Sequence, residues 1–450
     1  MPSIAPLDVE LLIEARWVLP MSEGLPTLQD HAVAIEAGRL LGPWPIAEAR
    51  DRVSARRVLR LASHALLPGL INAHNHAGMS LMRGYADDLP LMTWLNEHIW
   101  PTEAAHVNPA FVADGTRLAI AEMLRSGTTT FADMYLAPEA VGEVVEAGLI
   151  RTQLCTPLID FPTPWAEDFI SGLALTEALI ERYRDHPTVS LAFGPHAPYT
   201  VGVESLRRLH EAHQRLGLPI QMHVHETADE VEQGLAKDGK RPLRRLYDAG
   251  LLGSHFQAVH MTQIDDEDIA ILRDTGTHVV HCPQSNLKLA SGFCPIAKLQ
   301  DAGINVALGT DGAASNNDLD MFDEIKSAAL LAKGVSGNAA ALPAMSALAM
   351  ATRNGAKALG LGDRLGQLKE GFDADLIAVD LDSINTLPMH HPASAVVYAM
   401  NSRQVSHVWV GGQARLLDGE LQGIDSEELK RMAAGYQHAM ATTSQSGEAQ

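Results

Sequence analysis

Short apolar runs alternate with amphipathic segments across the middle of the chain. The segment Glu204–Leu216 repeats leucine at helical spacing, and Asp265–Thr275 and Pro295–Ala302 have similar patterns. Strand-like runs separated by helices are typical of βαβ units, which build a parallel sheet. Eight runs are predicted to be strands: Leu66–Ala73, Thr128–Met134, Arg151–Leu158, Ser190–His196, Ile220–His225, Phe256–His260, His278–His281 and Asn305–Gly309. Eight strand–helix units over about 250 residues predict an α/β fold, a (β/α)8 barrel.

Strand patterns also occur at both ends of the chain, outside the predicted barrel. They are Val9–Val18, His31–Ile35, Asp375–Val379 and Val405–Leu417, the last with a hairpin turn at Gly411-Gly412. We therefore expect one small β-sandwich domain formed from residues 1–65 and 366–440, beside a barrel of residues 66–365. Residues 441–450 are small and polar, and we expect them to form a disordered tail.

Composition and charge narrow the classes of protein. A 450-residue chain that is 46% hydrophobic can bury a large core, and its formal net charge of −21 does not suit a nucleic-acid surface. Only three cysteines occur, without a C-x-x-C pair, so no disulfide framework is expected. The first residues do not resemble a signal peptide, and no run of about 18 apolar residues is present. We expect a cytoplasmic protein that binds a small molecule, with neither a nucleic acid nor a membrane as partner.

The ends of the predicted strands carry a distinctive set of histidines and one aspartate. His74 and His76 end the first strand, where residues two apart point to the same side. His223 lies at the end of the fifth strand, and Asp311 follows the eighth. Because the carboxyl ends of barrel strands meet at one mouth, these four residues are predicted to bind a metal ion.

The chemistry of these four residues favours zinc and leaves Fe²⁺ open. Three neutral imidazoles and one carboxylate suit either ion, and a water molecule can take a further position. A second metal would need a bridging carboxylate, commonly a carboxylated lysine on the fourth strand. The fourth run, Ser190–His196, contains no lysine, so one divalent ion per subunit is expected.

Two further residues at the same mouth suit hydrolytic chemistry. Glu226 follows His223 by three positions, and His260 ends the sixth strand. Asp311 could take a proton from water, His260 could hydrogen-bond the nucleophile, and Glu226 could protonate a ring nitrogen of a substrate. The set therefore predicts Glu226, His260 and Asp311 as catalytic residues of a deaminase. A surface carboxylate at a strand end is the alternative interpretation of Glu226.

Several longer motifs identify a family. The motifs are Pro68-Gly-Leu-Ile-Asn-Ala-His-Asn-His76, His281-Cys-Pro-Gln-Ser-Asn-Leu-Lys-Leu289, Gly309-Thr-Asp-Gly312 and Gly371-Phe-Asp-Ala-Asp-Leu376. With them the chain resembles the amidohydrolase superfamily, in its branch of metal-dependent aminohydrolases and chlorohydrolases, and within it the 5′-methylthioadenosine/S-adenosylhomocysteine deaminases. The resemblance covers nearly the whole chain. It implies hydrolysis of adenosine derivatives to inosine derivatives and ammonia, and relatives of this kind are often homo-oligomers.

The resemblance also implies substrate-binding residues. Glu103 matches a residue that binds ribose hydroxyls, although it could equally be an acid in the first turn of a helix. His196 ends the fourth strand and would hydrogen-bond the substrate together with Glu226. Arg151 matches an arginine that reaches the 5′ substituent, yet it opens its strand, and that end of a regular barrel strand points away from the mouth.

Other functions remain open at this point. A guanine or 8-oxoguanine deaminase, or an s-triazine hydrolase, would share the branch and the metal site, but their substrates carry no ribose for Glu103 to bind. A non-catalytic scaffold built on the same barrel would be expected to lack metal ligands, and all four are present.

Overall fold

The computed structural model describes residues 5–447, in which two eight-stranded sheets account for all the strands. The strands, in chain order, are β1 (Leu7–Val18), β2 (Leu28–Glu36), β3 (Arg39–Pro45), β4 (Val53–Pro68), β5 (Leu70–Asn75), β6 (Thr128–Asp133), β7 (Arg151–Leu158), β8 (Val189–Pro195), β9 (Ile220–Val224), β10 (Phe256–His260), β11 (His278–His281), β12 (Val306–Leu308), β13 (Leu376–Asp380), β14 (Val405–Val410), β15 (Gln413–Leu417) and β16 (Glu420–Leu421).

Helices fill the connections between the strands. The α-helices are α1 (Ile46–Arg52), α2 (Leu91–Thr93), α3 (Trp100–His106), α4 (Pro109–Arg125), α5 (Pro138–Val145), α6 (Phe169–Tyr183), α7 (Val203–Leu216), α8 (Ala228–Asp238), α9 (Pro242–Asp248), α10 (Asp266–Thr275), α11 (Pro283–Lys288), α12 (Ile296–Asp301), α13 (Met321–Ser336), α14 (Ala344–Met350), α15 (Arg353–Ala358), α16 (Pro392–Ser394) and α17 (Ser426–Gly447). Short 3-10 helices span Ala77–Met82, Ile384–Thr386 and Ser402–Gln404, and π-helical turns span Trp94–Ile99 and Ala395–Ala399.

Strands β5 to β12 form the predicted parallel barrel, each beside its neighbour in sequence. The Asn72 side chain joins its first and last strands, because its amide donates to Thr310 Oγ1 (2.7 Å) while its oxygen accepts from the Thr310 N–H (3.0 Å). The Asp311 N–H also donates to the carbonyl of His74 (3.1 Å). These bonds bring the loop after β12 next to the end of β5.

The other sheet combines strands from both ends of the chain, in the order β16-β15-β14-β13-β4-β1-β2-β3. Only the β1–β4 pair is parallel. A separate core cluster includes Ile13, Ile35, Leu66, Phe372 and Trp409, so both ends of the chain contribute to it. The other face of the sheet is covered as well, because Leu12 and Ala34 belong to a further cluster with Ala49 of α1.

The two sheets meet at the amino-terminal end of the barrel. Strand β4 leads into β5 through Gly69, whose N–H donates to the carbonyl of Asp375 just before β13 (3.0 Å). Gly127, immediately before β6, lies against the side chains of Ile377 and Val405. The opposite end of the barrel, where the strands finish, is therefore free of the second sheet.

The predicted architecture is confirmed. The runs Arg151–Leu158, Phe256–His260 and His278–His281 have the predicted bounds. The first run, Leu66–Ala73, is instead divided at Gly69 between β4 and β5. The chain packs closely there, since a side chain at Gly69 would collide with Thr129.

The domain bounds 1–65 with 366–440, and 66–365, stay a prediction. Helix α17 includes residues 441–447, which we expected to be disordered, and residues 448–450 lie outside the described residues. Between residues 5 and 447, no helix is both long enough and apolar enough to cross a membrane.

Candidate active site

Four side chains from three barrel strands converge at the mouth. His74 lies in β5, His76 directly after it, His223 in β9, and Asp311 follows β12. One ligand atom from each lies within 4.8 Å of the others. The structure therefore brings together the four residues that were predicted to bind a metal ion.

Hydrogen bonds on the outer nitrogens orient the three imidazoles. His74 Nδ1 donates to Gln221 Oε1 (2.7 Å), His223 Nδ1 to the carbonyl of His196 (2.8 Å), and His76 Nδ1 to the carbonyl of Met134. Each Nδ1 faces an oxygen acceptor, so the proton of the neutral ring resides there and the Nε2 lone pair points inward.

The inward-facing atoms form a set that fits a cation. His74 Nε2 and His223 Nε2 are 3.1 Å apart, and Asp311 Oδ1 lies 3.4 Å from His74 Nε2 and 3.1 Å from His76 Nε2. Burial lowers the pKa of His74 to about 4 and that of His223 well below its usual range, which favours the neutral, metal-binding form. Converging lone pairs beside a carboxylate are satisfied by one positive ion, so these residues form a site for a divalent metal.

Asp311 is held in a fixed orientation. Its Oδ2 accepts hydrogen bonds from the hydroxyls of Ser285 (2.6 Å) and Ser315 (2.9 Å), and its Oδ1 accepts from the Gly312 N–H (2.9 Å). The backbone of Asp311 is left-handed, with φ of 63°. Oδ1 consequently faces the histidines while Oδ2 is occupied by the two hydroxyls.

Glu226 and His260 lie side by side at the same mouth. Glu226 Oε2 is 3.7 Å from His260 Nε2, and both residues are buried. Burial, reinforced by the charge of Asp311, raises the pKa of Glu226 to about 8, so this carboxyl can carry a proton at neutral pH. His260 Nδ1 donates to Asn286 Oδ1 (2.8 Å), which leaves Nε2 facing the cavity as an acceptor.

Glu103 and His196 line the same cavity, although they lie on different elements. Glu103 is on α3, and burial raises its pKa to about 7 against the opposing effect of the Tyr135 hydroxyl and His76. His196 follows β8, and burial lowers its pKa to about 4. Its carbonyl holds His223, so His196 also supports the metal site.

Arg151 does not lie in this cavity, and the prediction that it reaches the 5′ substituent is wrong. It is the first residue of β7, at the end of the barrel opposite the mouth. Its guanidinium forms two hydrogen bonds with Asp375 (2.8 and 3.0 Å) and one with the carbonyl of Pro187 (2.8 Å). This bidentate pair ties β7 to the second sheet.

A cavity of about 350 Å³ opens above the metal site. Its floor is formed by the metal ligands His76, His223 and Asp311 with Glu226 and His260, whereas its wall and rim are mainly apolar. The apolar lining residues are Met79, Leu91, Trp94, Leu95, Ile99, Trp100, Ala104, Met134, Leu136, Pro157, Ile159, Phe161, Pro162, Pro164 and Leu289. A polar floor below an apolar wall suits a small heterocyclic substrate with an apolar substituent.

Four supporting residues were not predicted from the sequence. Gln221 stands two positions before His223 on the same face of β9, so strand alternation could have indicated it. Ser285 and Asn286 lie inside the His281–Leu289 motif. Only the folded structure shows that this motif lies close to the mouth of the barrel. Ser315 follows Asp311 by four residues in an irregular segment, where no periodicity assigns direction.

Barrel and cluster together define a metal-dependent hydrolase. The model of the amidohydrolase family matches residues 65–415 of this chain. The chain belongs to the amidohydrolase family. This family membership, together with relatives that are named as deaminases, confirms the predicted class of enzyme, a hydrolase that acts on C–N bonds.

The relatives with known names are similar over nearly their full length. The chain is 46% identical over 432 residues to the 5-methylthioadenosine/S-adenosylhomocysteine deaminase of Teredinibacter turnerae, covering 96% of this chain and 98% of the relative. It is 47% identical over 444 residues to the enzyme of the same name from Saccharophagus degradans, covering 98% of each chain.

Solved structures share the fold. A crystal structure of an adenosine deaminase from Xanthomonas campestris with bound zinc is 46% identical, with a TM-score of 0.96 over 97% of this chain and 100% of that one. An atrazine chlorohydrolase from Arthrobacter aurescens is 23% identical, with a TM-score of 0.87 over 95% and 99% of the two chains. At 23% identity the second likeness establishes the fold alone.

Proposed function

We propose that this protein is a metal-dependent deaminase that converts 5′-methylthioadenosine and S-adenosylhomocysteine to the corresponding inosine derivatives and ammonia, with adenosine as a further candidate substrate. The observation that carries the proposal is Glu103 in the same cavity as the metal ligands and Glu226. A site for a nucleoside needs one group that binds the ribose, here Glu103, and one that binds the base, here Glu226. The names of the 46–47% identical relatives support the same substrates.

We infer that the metal is one zinc ion per subunit. Three imidazoles and one carboxylate are ligands that zinc accepts, with a water molecule completing the coordination. The zinc-bound structure from Xanthomonas campestris supports this choice, and Fe²⁺ is the competing ion. When bound, such an ion lowers the pKa of a water molecule and supplies a nucleophile at neutral pH.

The protein's own residues would then manage the protons. Protonated Glu226 donates to the ring nitrogen beside C6, which makes that carbon electrophilic. Asp311 accepts the proton that the attacking water loses, and His260 Nε2 accepts a hydrogen bond that orients the oxygen. Asp311 passes this proton to the amino group, the C6–N bond breaks and ammonia leaves. The new C6 hydroxyl gives its proton to Glu226 as it becomes a carbonyl, so one water is consumed for each ammonia released.

Glu103 and His196 would position the substrate. A carboxylate can accept hydrogen bonds from both hydroxyls of a ribose, and Glu103 stands on a helix above the metal site. His196 Nδ1 lies 3.2 Å from Thr200 Oγ1, so Nε2 is the nitrogen left to contact the base. With these two contacts, the purine would lie at the floor of the cavity and the ribose above it.

A substrate panel tests the proposal. With zinc-replete enzyme, ammonia release would be measured on 5′-methylthioadenosine, S-adenosylhomocysteine, adenosine, guanine and 8-oxoguanine, and chloride release on atrazine. We expect turnover of the adenosine derivatives only. No release from any adenosine derivative, with turnover of guanine or atrazine, would replace this assignment by another hydrolase of the branch, and a zinc-loaded protein inactive on all would favour a scaffold.

A variant makes the role of Glu103 separable from folding. Glu103→Gln should lower kcat/KM for 5′-methylthioadenosine at least 30-fold and change it little for the 2′,3′-dideoxy analogue, which has no diol to bind. Glu97→Gln, at an exposed acid six residues earlier, is the matched control. Equal losses on both substrates would show that Glu103 does not bind the ribose.

A further inference from the structure

The rim of the cavity differs chemically from its floor. Trp100 and Phe161 meet edge to face there, with ring centroids 6.4 Å apart, and Phe161 is 44% exposed. Leu95 and Leu91, five and nine residues before Trp100, and Pro162, next to Phe161, line the same cavity. An exposed phenylalanine beside other apolar side chains at a cavity mouth indicates a surface that binds an apolar group.

The lining of this cavity carries no positive side chain among the residues that the structure describes, since none of them is a lysine or an arginine. Lys288, next to the lining residue Leu289, is already engaged with Asp87 (2.7 Å), Asn317 (2.6 Å) and the carbonyl of Ala314 (3.0 Å). Arg151 is held by Asp375 at the other end of the barrel. A carboxylate bound at the rim would therefore lose water without gaining a cation.

The position of Glu103 relates this rim to one end of the substrate. Trp100 precedes Glu103 by three residues in α3, so both side chains occupy the same face of the helix. With the base at the metal site and the ribose hydroxyls at Glu103, the 5′ carbon is the atom that continues outward, toward Trp100 and Phe161. This orientation rests on the proposed function.

We propose that the rim formed by Trp100, Phe161, Leu91, Leu95 and Pro162 is a subsite for an uncharged thioether on the 5′ carbon, which makes 5′-methylthioadenosine a strongly preferred substrate over S-adenosylhomocysteine. The methylthio group buries its sulfur and methyl against the aromatic rings, as thioethers commonly do. The zwitterionic end of homocysteine meets the same apolar surface and finds no partner for its carboxylate.

Three substrates separate charge from size. We would compare kcat/KM for 5′-methylthioadenosine, S-adenosylhomocysteine and 5′-(n-butylthio)-5′-deoxyadenosine, which has the chain length of homocysteine without its charges. We expect S-adenosylhomocysteine to be at least tenfold poorer than 5′-methylthioadenosine, mainly through KM, and the butylthio compound to stay within tenfold of it. Tenfold corresponds to about 1.4 kcal/mol. A smaller difference for S-adenosylhomocysteine, or an equal loss for the butylthio compound, overturns the proposal.

Substitution at Phe161 supplies a gain-of-function test. Phe161→Arg places a cation at the rim and should raise the ratio of kcat/KM for S-adenosylhomocysteine to that for 5′-methylthioadenosine at least fivefold, because a guanidinium pairs with a carboxylate. Phe161→Met, equally flexible and uncharged, is the matched control and should leave that ratio within twofold. An unchanged ratio in Phe161→Arg, or the same rise in both variants, contradicts the subsite.

Adenosine distinguishes a failure of the proposed function from a failure of the rim subsite. It has a ribose for Glu103 and no substituent for the rim. If none of the adenosine compounds is deaminated, the proposed function has failed. If adenosine and both thioethers are deaminated at similar rates, the function stands and the inference about the rim has failed.

Discussion

The carboxylate of Glu230 accepts hydrogen bonds from the main-chain N–H groups of both His225 (2.9 Å) and Glu226 (2.8 Å). His225 is in the left-handed region, with φ of 53°, so the chain turns sharply just after β9. Thr262 Oγ1 donates to the carbonyl of Glu226 (2.6 Å). The backbone of Glu226 is thus held on both sides, which fixes the direction of its side chain.

Replacing Glu230 should disturb this turn more than the fold. In Glu230→Gln, one of the two backbone N–H groups loses its acceptor, and we expect kcat to fall about tenfold with KM within threefold, because an unsatisfied buried donor costs about 1–3 kcal/mol. Steady-state kinetics, with circular dichroism as a check on folding, measures this. Glu232→Gln, at an exposed position on the same helix, should behave as wild type.

Glu226→Gln tests proton donation directly. The amide has nearly the same shape as the carboxyl but cannot transfer a proton, and general acid–base catalysis contributes about 10²–10⁴-fold. We expect kcat to fall by at least about 10² while the zinc content, measured by mass spectrometry, stays at one ion per chain. A variant that keeps more than a tenth of wild-type kcat would remove Glu226 from the chemistry.

Removing the metal should abolish activity and lower the melting temperature. The four ligand atoms lie within 4.8 Å of one another, and an ion that binds them only in the folded state adds stability by mass action. Chelation followed by readdition of zinc, with activity and melting temperature measured at each stage, checks this. His74→Ala should lose the ion. His210→Ala, on the outer helix α7, should retain it.

Arg151→Met should change stability and leave substrate affinity unchanged. The Arg151 side chain is 9% exposed and paired with Asp375, and breaking a buried pair costs about 3–5 kcal/mol. Chemical denaturation measures the free energy of unfolding, and KM for 5′-methylthioadenosine reports on the site. The exposed pair of Arg16 and Asp30 provides the control, since Arg16→Met should cost less than about 1 kcal/mol. A raised KM with an unchanged free energy of unfolding would show that Arg151 contributes to substrate binding.

Buried histidines outside the metal site should make the protein sensitive to acid. Burial lowers the pKa of His278 to about 4, so between pH 6.5 and 4 the unfolded chain binds a proton that the folded chain does not. The free energy of unfolding therefore falls as the pH falls below 6.5, by about 2 kcal/mol at pH 5 from this residue.

His278→Gln isolates that contribution. Denaturation at pH 8 and pH 5 should give a smaller difference for this variant than for wild type, whereas His390→Gln, at an exposed position, should match wild type. A pH dependence unaltered by His278→Gln would assign the acid sensitivity to other groups.

The strand ends could be predicted from the sequence because two regularities act together. Alternation places His74 and His76 on one side, and the parallel barrel gathers the ends of distant strands, which brings Asp311 beside them. The structural role of Arg151 could not be predicted in this way. Its partner Asp375 is 224 positions away, in another sheet, and no local pattern marks that pairing.

The residues that orient the metal ligands could not be predicted from the sequence either. Gln221 reads as one more polar residue in a strand, and only the folded barrel shows that its side chain spans from Gln257 to His74. Ser285 reaches Asp311 from the short helix α11, and Ser315 reaches it from an irregular segment, so both contacts depend on packing. Such contacts are set by three-dimensional proximity, which periodicity does not encode.

The second sheet joins the barrel at one end, and the rim with Trp100 and Phe161 lies at the other. Substitutions at the rim consequently do not touch the Arg151–Asp375 pair or the strand junction at Gly69. Natural variation can thus retune which 5′ group is accepted while the machinery of folding and of hydrolysis is inherited unaltered. Such an arrangement makes the substrate range of this enzyme easy to evolve.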